Sequence, residues 1–157
     1  MKQLSCGILN YYSENGKIYV LLASAGGPYF ERHKCFSIPK GLKEENEIEK
    51  EAAIREFVEE TNLKFVNNIQ FLDTIKQSKF KDVSCFILNE KLDLSNFKSN
   101  TFEMEYPKGS GNIQEFPEIE KIEYVELEKA KEIIIKGQIQ LLEKLNNLIK
   151  NIDEFER

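Results

Sequence analysis

Three glutamate residues, Glu56, Glu59 and Glu60, follow Arg55 at a spacing that could bind a metal ion. On a helix that turns by about 100° per residue they fall within an arc of about 100°, so their carboxylates share one face. Two unit charges about 4 Å apart interact by about 4 kcal/mol at an effective dielectric constant near 20, which makes such a cluster costly unless water or a cation offsets it. Carboxylate oxygens are hard ligands and favour Mg²⁺ or Mn²⁺ over zinc. The spacing therefore predicts a metal site.

The apolar residues of this predicted helix indicate how it packs. Ala52 and Ala53 are placed on the same side as the carboxylates and are small enough to leave that side open. Ile54, Phe57 and Val58 are placed on the opposite side. We therefore expect one face to belong to the core and the other to the site.

The stretch around these glutamates resembles the Nudix box, written GX5EX7REUXEEXGU with U a bulky aliphatic residue. The chain supplies the following residues in register: Gly41, Glu47, Arg55, Glu56, Phe57, Glu59, Glu60 and Leu63. Two positions depart from the pattern. Phe57 stands where an aliphatic residue is usual, and Asn62 replaces a glycine that would end the helix in a left-handed conformation. Asparagine adopts that conformation more readily than other non-glycine residues, so we expect a small loss of stability and an unchanged site.

The resemblance implies a role for each residue of the box. The implied metal ligands are the carboxylates of Glu56, Glu59 and Glu60 and the carbonyl oxygen of Gly41. Arg55 would orient these ligands, with Glu47 as its partner in a two-pronged hydrogen bond. The alternative is a solvated acidic helix, since glutamate is a good helix former. That alternative predicts no particular spacing, so we favour the metal site.

The resemblance also implies a further carboxylate on a loop before the last core strand, where many Nudix enzymes carry a base or an extra metal ligand. Glu118 lies six residues before Tyr124, a spacing similar to that of the family, and Glu115 lies in the same loop. We favour Glu118 for this position. The residue that accepts a proton from the attacking water stays open between Glu56 and Glu118.

Four residues that precede the helix are candidates for substrate binding. Lys40 directly precedes Gly41, and Arg32 and Lys34 lie in the loop before it, so their cations could contact phosphates. Isolated lysines of this kind more often only increase solubility. Tyr29 could stack on a base, although packing over the core is favoured for it.

Hydrophobic periodicity predicts the elements that position these residues. Two β-rich runs, residues 3–12 and 17–23, are separated by the turn signal SENG and predict a hairpin. A loop with a short strand at residues 36–39 then leads to the helix. Further strands are predicted at residues 69–77, 82–88, 101–106 and 121–125.

The period changes at Leu127, after which apolar residues follow helical spacing with an interruption at Gly137. This predicts a short helix and a longer terminal helix that covers the sheet. A mixed β-sheet between the glutamate helix and the terminal helices is a three-layer α/β/α sandwich, the α/β arrangement of the Nudix fold. A monomer and a homodimer both remain possible.

Composition indicates one domain over residues 1–157 and excludes several classes of protein. The net charge is −5 and the basic residues form no long cluster, so nucleic acid is an unfavoured partner. An anionic polyphosphate would need divalent ions to approach the acidic helix. No apolar stretch reaches the roughly 20 residues of a membrane span and no secretory signal is recognised, so we expect a cytoplasmic protein. Three widely spaced cysteines and one histidine favour neither disulfides nor zinc nor a catalytic triad.

Segments outside the box resemble a bacterial Nudix subgroup described as predicted NTP pyrophosphohydrolases. These segments are GGPYF, FSIPKG, SNTFEMEYP, QEFPEIE and a late GQ before the terminal helix. The resemblance implies a magnesium-dependent pyrophosphohydrolase that cleaves a diphosphate bond in a nucleoside diphosphate linked to another moiety. A nucleoside triphosphate is the favoured substrate and a dinucleoside polyphosphate the alternative. A non-catalytic nucleotide-binding domain is least favoured, because the carboxylates of the box are retained.

Overall fold

The computed structural model describes residues 2–28 and 36–156 of the chain. Within these residues it contains nine β-strands, three α-helices and two short 3₁₀ turns, at Leu94–Asn96 and Lys136–Gln138. The strands are β1 (Gln3–Glu14), β2 (Lys17–Ala25), β3 (Phe36–Ser37), β4 (Lys40–Leu42), β5 (Gln70–Ser78), β6 (Lys81–Asn89), β7 (Thr101–Glu105), β8 (Ile113–Pro117) and β9 (Ile119–Glu126). The helices are α1 (Glu49–Thr61), α2 (Leu127–Ile133) and α3 (Ile139–Glu156).

Seven of the described strands form one mixed sheet, as predicted. Its central order is β3-β2-β1-β6-β5, while β4 pairs with β1 and β9 pairs with β2. Strands β1 and β6 run parallel, and the other pairs are antiparallel. Strands β7 and β8 form a separate antiparallel hairpin. The long strand β1 therefore supports both β4, which leads towards α1, and β2, which carries β9.

The turn between β1 and β2 confirms the predicted hairpin. Asn15 and Gly16 have φ values of 53° and 78°, so both turn residues are left-handed. A two-residue turn of this kind matches the twist of paired strands, and Asn-Gly is the dipeptide that most readily forms it. The register that follows pairs Glu14 with Lys17 and Tyr11 with Val20.

The sheet is buried on both faces, which gives the predicted three-layer α/β/α sandwich. Successive side chains of a strand point to opposite faces, so Ile8 joins the core under α1 and Leu9 joins the core under α2 and α3. The prediction that the terminal helix covers the sheet is confirmed, because Leu141, Leu142 and Leu145 are all fully buried. None of the helices in the described ranges is long and apolar enough to cross a membrane.

The predicted division of α1 is confirmed for Phe57 and Ile54, which belong to the core, but is wrong for the two alanines and for Val58. Ala52, Ala53 and Phe57 are all fully buried, whereas Val58 is 40% exposed. The periodicity of a helix defines its faces but not which of them meets the sheet. The buried face of α1 includes the alanines, so the glutamate at position 56 lies at the edge of the packed face and not on its far side.

Candidate active site

Arg55 is the centre of a hydrogen-bonded cluster between α1 and the segment that precedes it. Its Nε donates to Glu47 Oε2 over 2.7 Å and its Nη2 donates to Glu47 Oε1 over 2.9 Å, which is the two-pronged contact expected of this pair. Its Nη1 donates to Glu56 Oε1 over 2.8 Å and to Glu59 Oε2 over 3.3 Å. Its Nη2 also donates to the carbonyl of Leu42 over 3.1 Å. One guanidinium thus joins three carboxylates of the box, those of Glu47, Glu56 and Glu59, to the end of β4.

Electrostatics in this cluster follow from its hydrogen bonds. The guanidinium of Arg55 lowers the pKa of Glu47 to about 2, and the backbone N–H of Glu44 acts in the same direction. The hydrogen bonds from Arg55 to Glu47 also raise the pKa of Arg55 above its ordinary value. Both partners therefore remain charged throughout the neutral range, which keeps the arginine in place beside Glu56.

Gly41 lies directly beneath the carboxylate of Glu56. It belongs to β4, where it pairs with Cys6 of β1. A Cβ atom added to Gly41 would lie 1.9 Å from Glu56 Oε2 and 2.0 Å from Glu56 Cδ. Any side chain at this position would therefore displace the carboxylate. The space at position 41 therefore requires glycine, whatever the predicted role of its carbonyl as a metal ligand. This requirement follows from the packing of α1 on β4.

Glu60 is the most perturbed carboxylate of the site. Its Oε2 faces the backbone N–H of Lys40 at 3.4 Å, a long contact. Burial, and secondly the negative charge of Glu56, raise the pKa of Glu60 to about 8. Burial also lowers the pKa of the half-buried Lys40 amino group. Such an environment disfavours an isolated negative charge and is relieved by a proton or a cation.

A cleft of about 200 Å³ brings together Lys40, Glu60 and Glu118, which are distant in the sequence. It is lined by Ala25, Ser37, Ile38, Lys40, Glu60, Glu118, Ile119 and Ile135. Glu118 lies at the bend between β8 and β9, where its N–H donates to the carbonyl of Asn100 over 2.8 Å. Its own carbonyl accepts the N–H of Gly26 over 2.9 Å. The cleft is thus lined by charged residues from β4, α1 and the bend and by aliphatic residues.

Gly26, which follows the cleft residue Ala25, contacts the bend that carries Glu118, and the sequence analysis missed this role. A Cβ atom on Gly26 would lie 2.0 Å from the carbonyl oxygen of Pro117, so the bend carrying Glu118 packs on bare backbone. The pair of glycines in the GGPYF segment was the only signal of this close approach. Gly26 therefore helps to place Glu118 at the cleft.

Other predicted residues lie away from the cleft or outside the described part of the chain. Glu59 is about half exposed and directs its carboxylate to Arg55. Glu115 is exposed in β8, where it faces Glu103 of β7. The three substrate-binding candidates that fall outside the described residues are Tyr29, Arg32 and Lys34.

The chemistry of the donors determines which metal fits this site. Among residues 2–28 and 36–156, no three carboxylate, thiol or imidazole groups converge on one point. The carboxylate of Glu56 lies beside Gly41 and that of Glu60 beside Lys40, and both are hard oxygen donors. Burial of Glu60, and secondly the charge of Glu56, raise the pKa of Glu60, and a bound cation would offset both effects. The donor set fits a hard divalent cation such as Mg²⁺.

Comparison with known proteins finds similarity over most of this chain. A family model of the NUDIX domain matches residues 1–145. An Ap4A hydrolase from C. elegans, solved as a binary complex, is 24% identical with a TM-score of 0.63 and covers 95% of this chain and 98% of its own. The NUDIX domain of NrtR from Shewanella oneidensis, complexed with ADP ribose, is 13% identical with a TM-score of 0.64 and covers 95% and 89%.

A NUDIX hydrolase structure from Listeria monocytogenes is 18% identical, with a TM-score of 0.65 and 97% of each chain covered. At these identities the likeness to solved structures concerns the fold. A comparison with curated proteins gives no significant match.

Proposed function

Because this chain belongs to the Nudix family, we propose that it is a metal-dependent hydrolase that cleaves a diphosphate bond in a nucleoside diphosphate linked to another moiety. The observation that carries the proposal is the cluster in which Arg55 joins Glu47 to Glu56 beside Gly41. A solvated acidic helix would not require a guanidinium at its centre or a glycine beneath one of its carboxylates. The same cluster leads directly to the cleft through Glu60.

The cation of this proposal is Mg²⁺ or Mn²⁺, held by oxygen donors of the box. The proposed ligands are the carboxylates of Glu56, Glu59 and Glu60 and the carbonyl of Gly41. When bound, a divalent cation neutralises phosphate charge and lowers the pKa of water, which is the chemistry that hydrolysis of an anhydride requires. Arg55 restricts the rotamers of Glu56 and Glu59 through Nη1, so these ligands are oriented in advance.

The remaining polar groups of the cleft have roles in binding and proton transfer. Lys40 is half-buried beside Glu60 and provides a positive charge for a substrate phosphate. Glu118 lines the same cleft and accepts the proton of the attacking water, with Glu56 as the competing base. The aliphatic wall formed by Ile38, Ile119 and Ile135 accommodates an uncharged part of the substrate.

The favoured substrate is a nucleoside triphosphate. A dinucleoside polyphosphate is the second candidate, and it is supported by the likeness over nearly the full length to the C. elegans Ap4A hydrolase. ADP ribose, the ligand of the Shewanella oneidensis domain, contains the same type of diphosphate linkage and is therefore included among the compounds to be tested.

A screen of nucleotide substrates tests the proposal. The purified chain is incubated with Mg²⁺ and nucleoside triphosphates, dinucleoside polyphosphates, ADP ribose, nucleotide sugars or capped RNA, and products are identified by chromatography. We expect metal-dependent turnover that Glu60→Gln abolishes and that Glu51→Gln, an exposed control on the same helix, retains. Nucleotide binding by calorimetry without turnover of any compound would instead identify a non-catalytic binding domain.

A further inference from the structure

Gln138 is a fully buried polar residue that the proposed chemistry does not use. It ends the 3₁₀ turn between α2 and α3 and belongs to the late GQ segment noted in the sequence. Its Oε1 accepts the backbone N–H of Ile38 over 3.0 Å, and its Nε2 donates to Gln77 Oε1 over 3.0 Å. Both ends of the buried amide are therefore satisfied, one by the backbone before β4 and one by β5.

The segment from Phe36 to Lys40 needs external partners because Pro39 has no N–H and interrupts the strand. The carbonyl of Phe36 accepts the N–H of Ile135 over 2.9 Å, and the carbonyl of Pro39 accepts the N–H of Ile8 over 3.2 Å. The side-chain amide of Gln138 supplies the acceptor between these two contacts, at Ile38. At Ile38, the amide oxygen of Gln138 thus provides the acceptor that a paired strand would otherwise provide.

This segment forms one wall of the cleft. Ser37, Ile38 and Lys40 all line it, and the Lys40 N–H faces Glu60 from there. A shift of the backbone at Ile38 would be transmitted through Pro39 to Lys40. A displacement of about 1 Å in a site residue can strongly reduce the rate of a reaction. Such a shift would therefore affect both substrate binding and catalysis.

We infer that Gln138 is a positioning residue, whose side-chain amide fixes the Ile38 backbone and thereby the place of Lys40 in the cleft. Its position is itself fixed by packing, since a Cβ atom on the adjacent Gly137 would lie 2.3 Å from the carbonyl oxygen of Gln77. The kinetic part of this inference rests on the proposed function, whereas the structural part does not.

Three variants test the inference. Gln138→Met keeps the length of the side chain and removes the acceptor for the Ile38 N–H. Gln138→Glu keeps that acceptor, and the amide of Gln77 can turn to donate to the new carboxylate. Gln77→Met is the matched control, because it removes the other hydrogen bond of Gln138 and leaves the contact with Ile38 intact.

The first measurement is hydrogen exchange of a peptide spanning residues 36–42, which needs no substrate. We expect faster exchange in Gln138→Met, and near wild-type exchange in Gln138→Glu and Gln77→Met. Each variant is measured well below its own melting temperature. The second is kinetics on whichever substrate the screen identifies. We expect kcat/KM to fall roughly tenfold to a hundredfold in Gln138→Met, with KM raised, and to recover in Gln138→Glu.

The inference is overturned if Gln138→Met exchanges residues 36–42 like the wild type, or if Gln77→Met causes the same increase. If Gln138→Met fails to fold, Gln138→Leu, which also removes the acceptor, takes its place: faster exchange of residues 36–42 than in Gln77→Met supports the inference, and wild-type exchange contradicts it. If the wild type hydrolyses none of the compounds, the proposed function fails while the exchange results still decide the role of Gln138.

Discussion

The carboxylate of Glu56 occupies the space that a side chain on Gly41 would need, with its Oε2 atom 1.9 Å from the position of a Cβ. The same carboxylate accepts a hydrogen bond of 2.8 Å from Arg55. It is therefore held from one side by the guanidinium and limited on the other by bare backbone. Both contacts come from residues of the box, but the one with Gly41 depends on the packing of α1 against β4.

The first prediction concerns Gly41→Ala. The added methyl group must push Glu56 away from its contact with Arg55, so we expect a roughly tenfold to hundredfold loss in activity or in the apparent affinity for Mg²⁺. Titration of the metal against turnover measures both. Leu42→Ala, an exposed position in the same strand, is the control. Wild-type behaviour of Gly41→Ala would show that Glu56 does not need its present position.

The second prediction concerns the geometry of Arg55. Lysine keeps the positive charge but cannot donate to Glu47, Glu56 and the Leu42 carbonyl at once, so Arg55→Lys should lose about tenfold to a hundredfold in kcat/KM. Glu47→Gln, which retains an acceptor, should lose less. Lys50→Gln, at an exposed position on the same helix, should have no effect. Equal activity of Arg55→Lys and the wild type would mean that only the charge matters.

The third prediction identifies the base. Glu118→Gln should lower kcat by about a hundredfold to ten thousandfold and should remove the acidic limb of the pH–rate profile, because the group that accepts the proton is lost. Glu115→Gln, on the neighbouring strand and exposed, is the matched control. If Glu118→Gln keeps the acidic limb and Glu56→Gln removes it, the base is Glu56.

The fourth prediction concerns the end of α1. Asn62 has a φ of 61° and its N–H donates to the carbonyl of Val58, so it is left-handed as predicted. Asn62→Ala should lower the free energy of unfolding by about 1 kcal/mol, because alanine is strained in the left-handed conformation. Asn62→Gly introduces no such strain. The glycine variant loses only a 3.2 Å contact from Asn62 Nδ2 to the Asn96 carbonyl. Urea denaturation measures these differences, and an alanine variant as stable as the wild type would contradict the argument.

The fifth prediction concerns the ion pair between Asp73 of β5 and Lys144 of α3. Its charged atoms are 2.6 Å apart, and the lysine, followed by the Thr74 N–H, lowers the pKa of Asp73 in the folded protein. A lowered pKa stabilises the fold above the ordinary value near 4, and this stabilisation is lost as the pH falls through the folded pKa. Both side chains are more than a third exposed, so the expected effect is only about 0.5 kcal/mol.

The measurement is the free energy of unfolding of Asp73→Asn and the wild type between pH 7 and pH 3. The difference should be largest at neutral pH and should decrease towards pH 3. It should also shrink in 1 M salt. A difference that grows as the pH falls would have the wrong sign for this pair.

Local sequence signals predicted the elements and several details of the fold. Asn15 and Gly16 indicated the first turn, Asn62 indicated the end of α1, and alternating apolar residues indicated the paired strands. These features depend on backbone preferences of a few adjacent residues, so they are readable without the fold. The rotation of α1 about its own axis could not be predicted in this way. Ala52 is buried and Val58 is partly exposed, the reverse of what the sequence predicted. That choice depends on how the whole helix packs against the sheet.

The sequence by itself determined which groups the chain brings to the site, because the spacing of Arg55, Glu56 and Glu60 on one helix depends only on helical geometry. The tertiary structure alone decided what these groups meet. Pairing of β4 with β1 and packing of α1 place Gly41 under a carboxylate, and the bend after β8 places Glu118 in the same cleft as Glu60. The reason is that contacts between distant segments follow from strand register and from packing at close range, which local preferences do not encode.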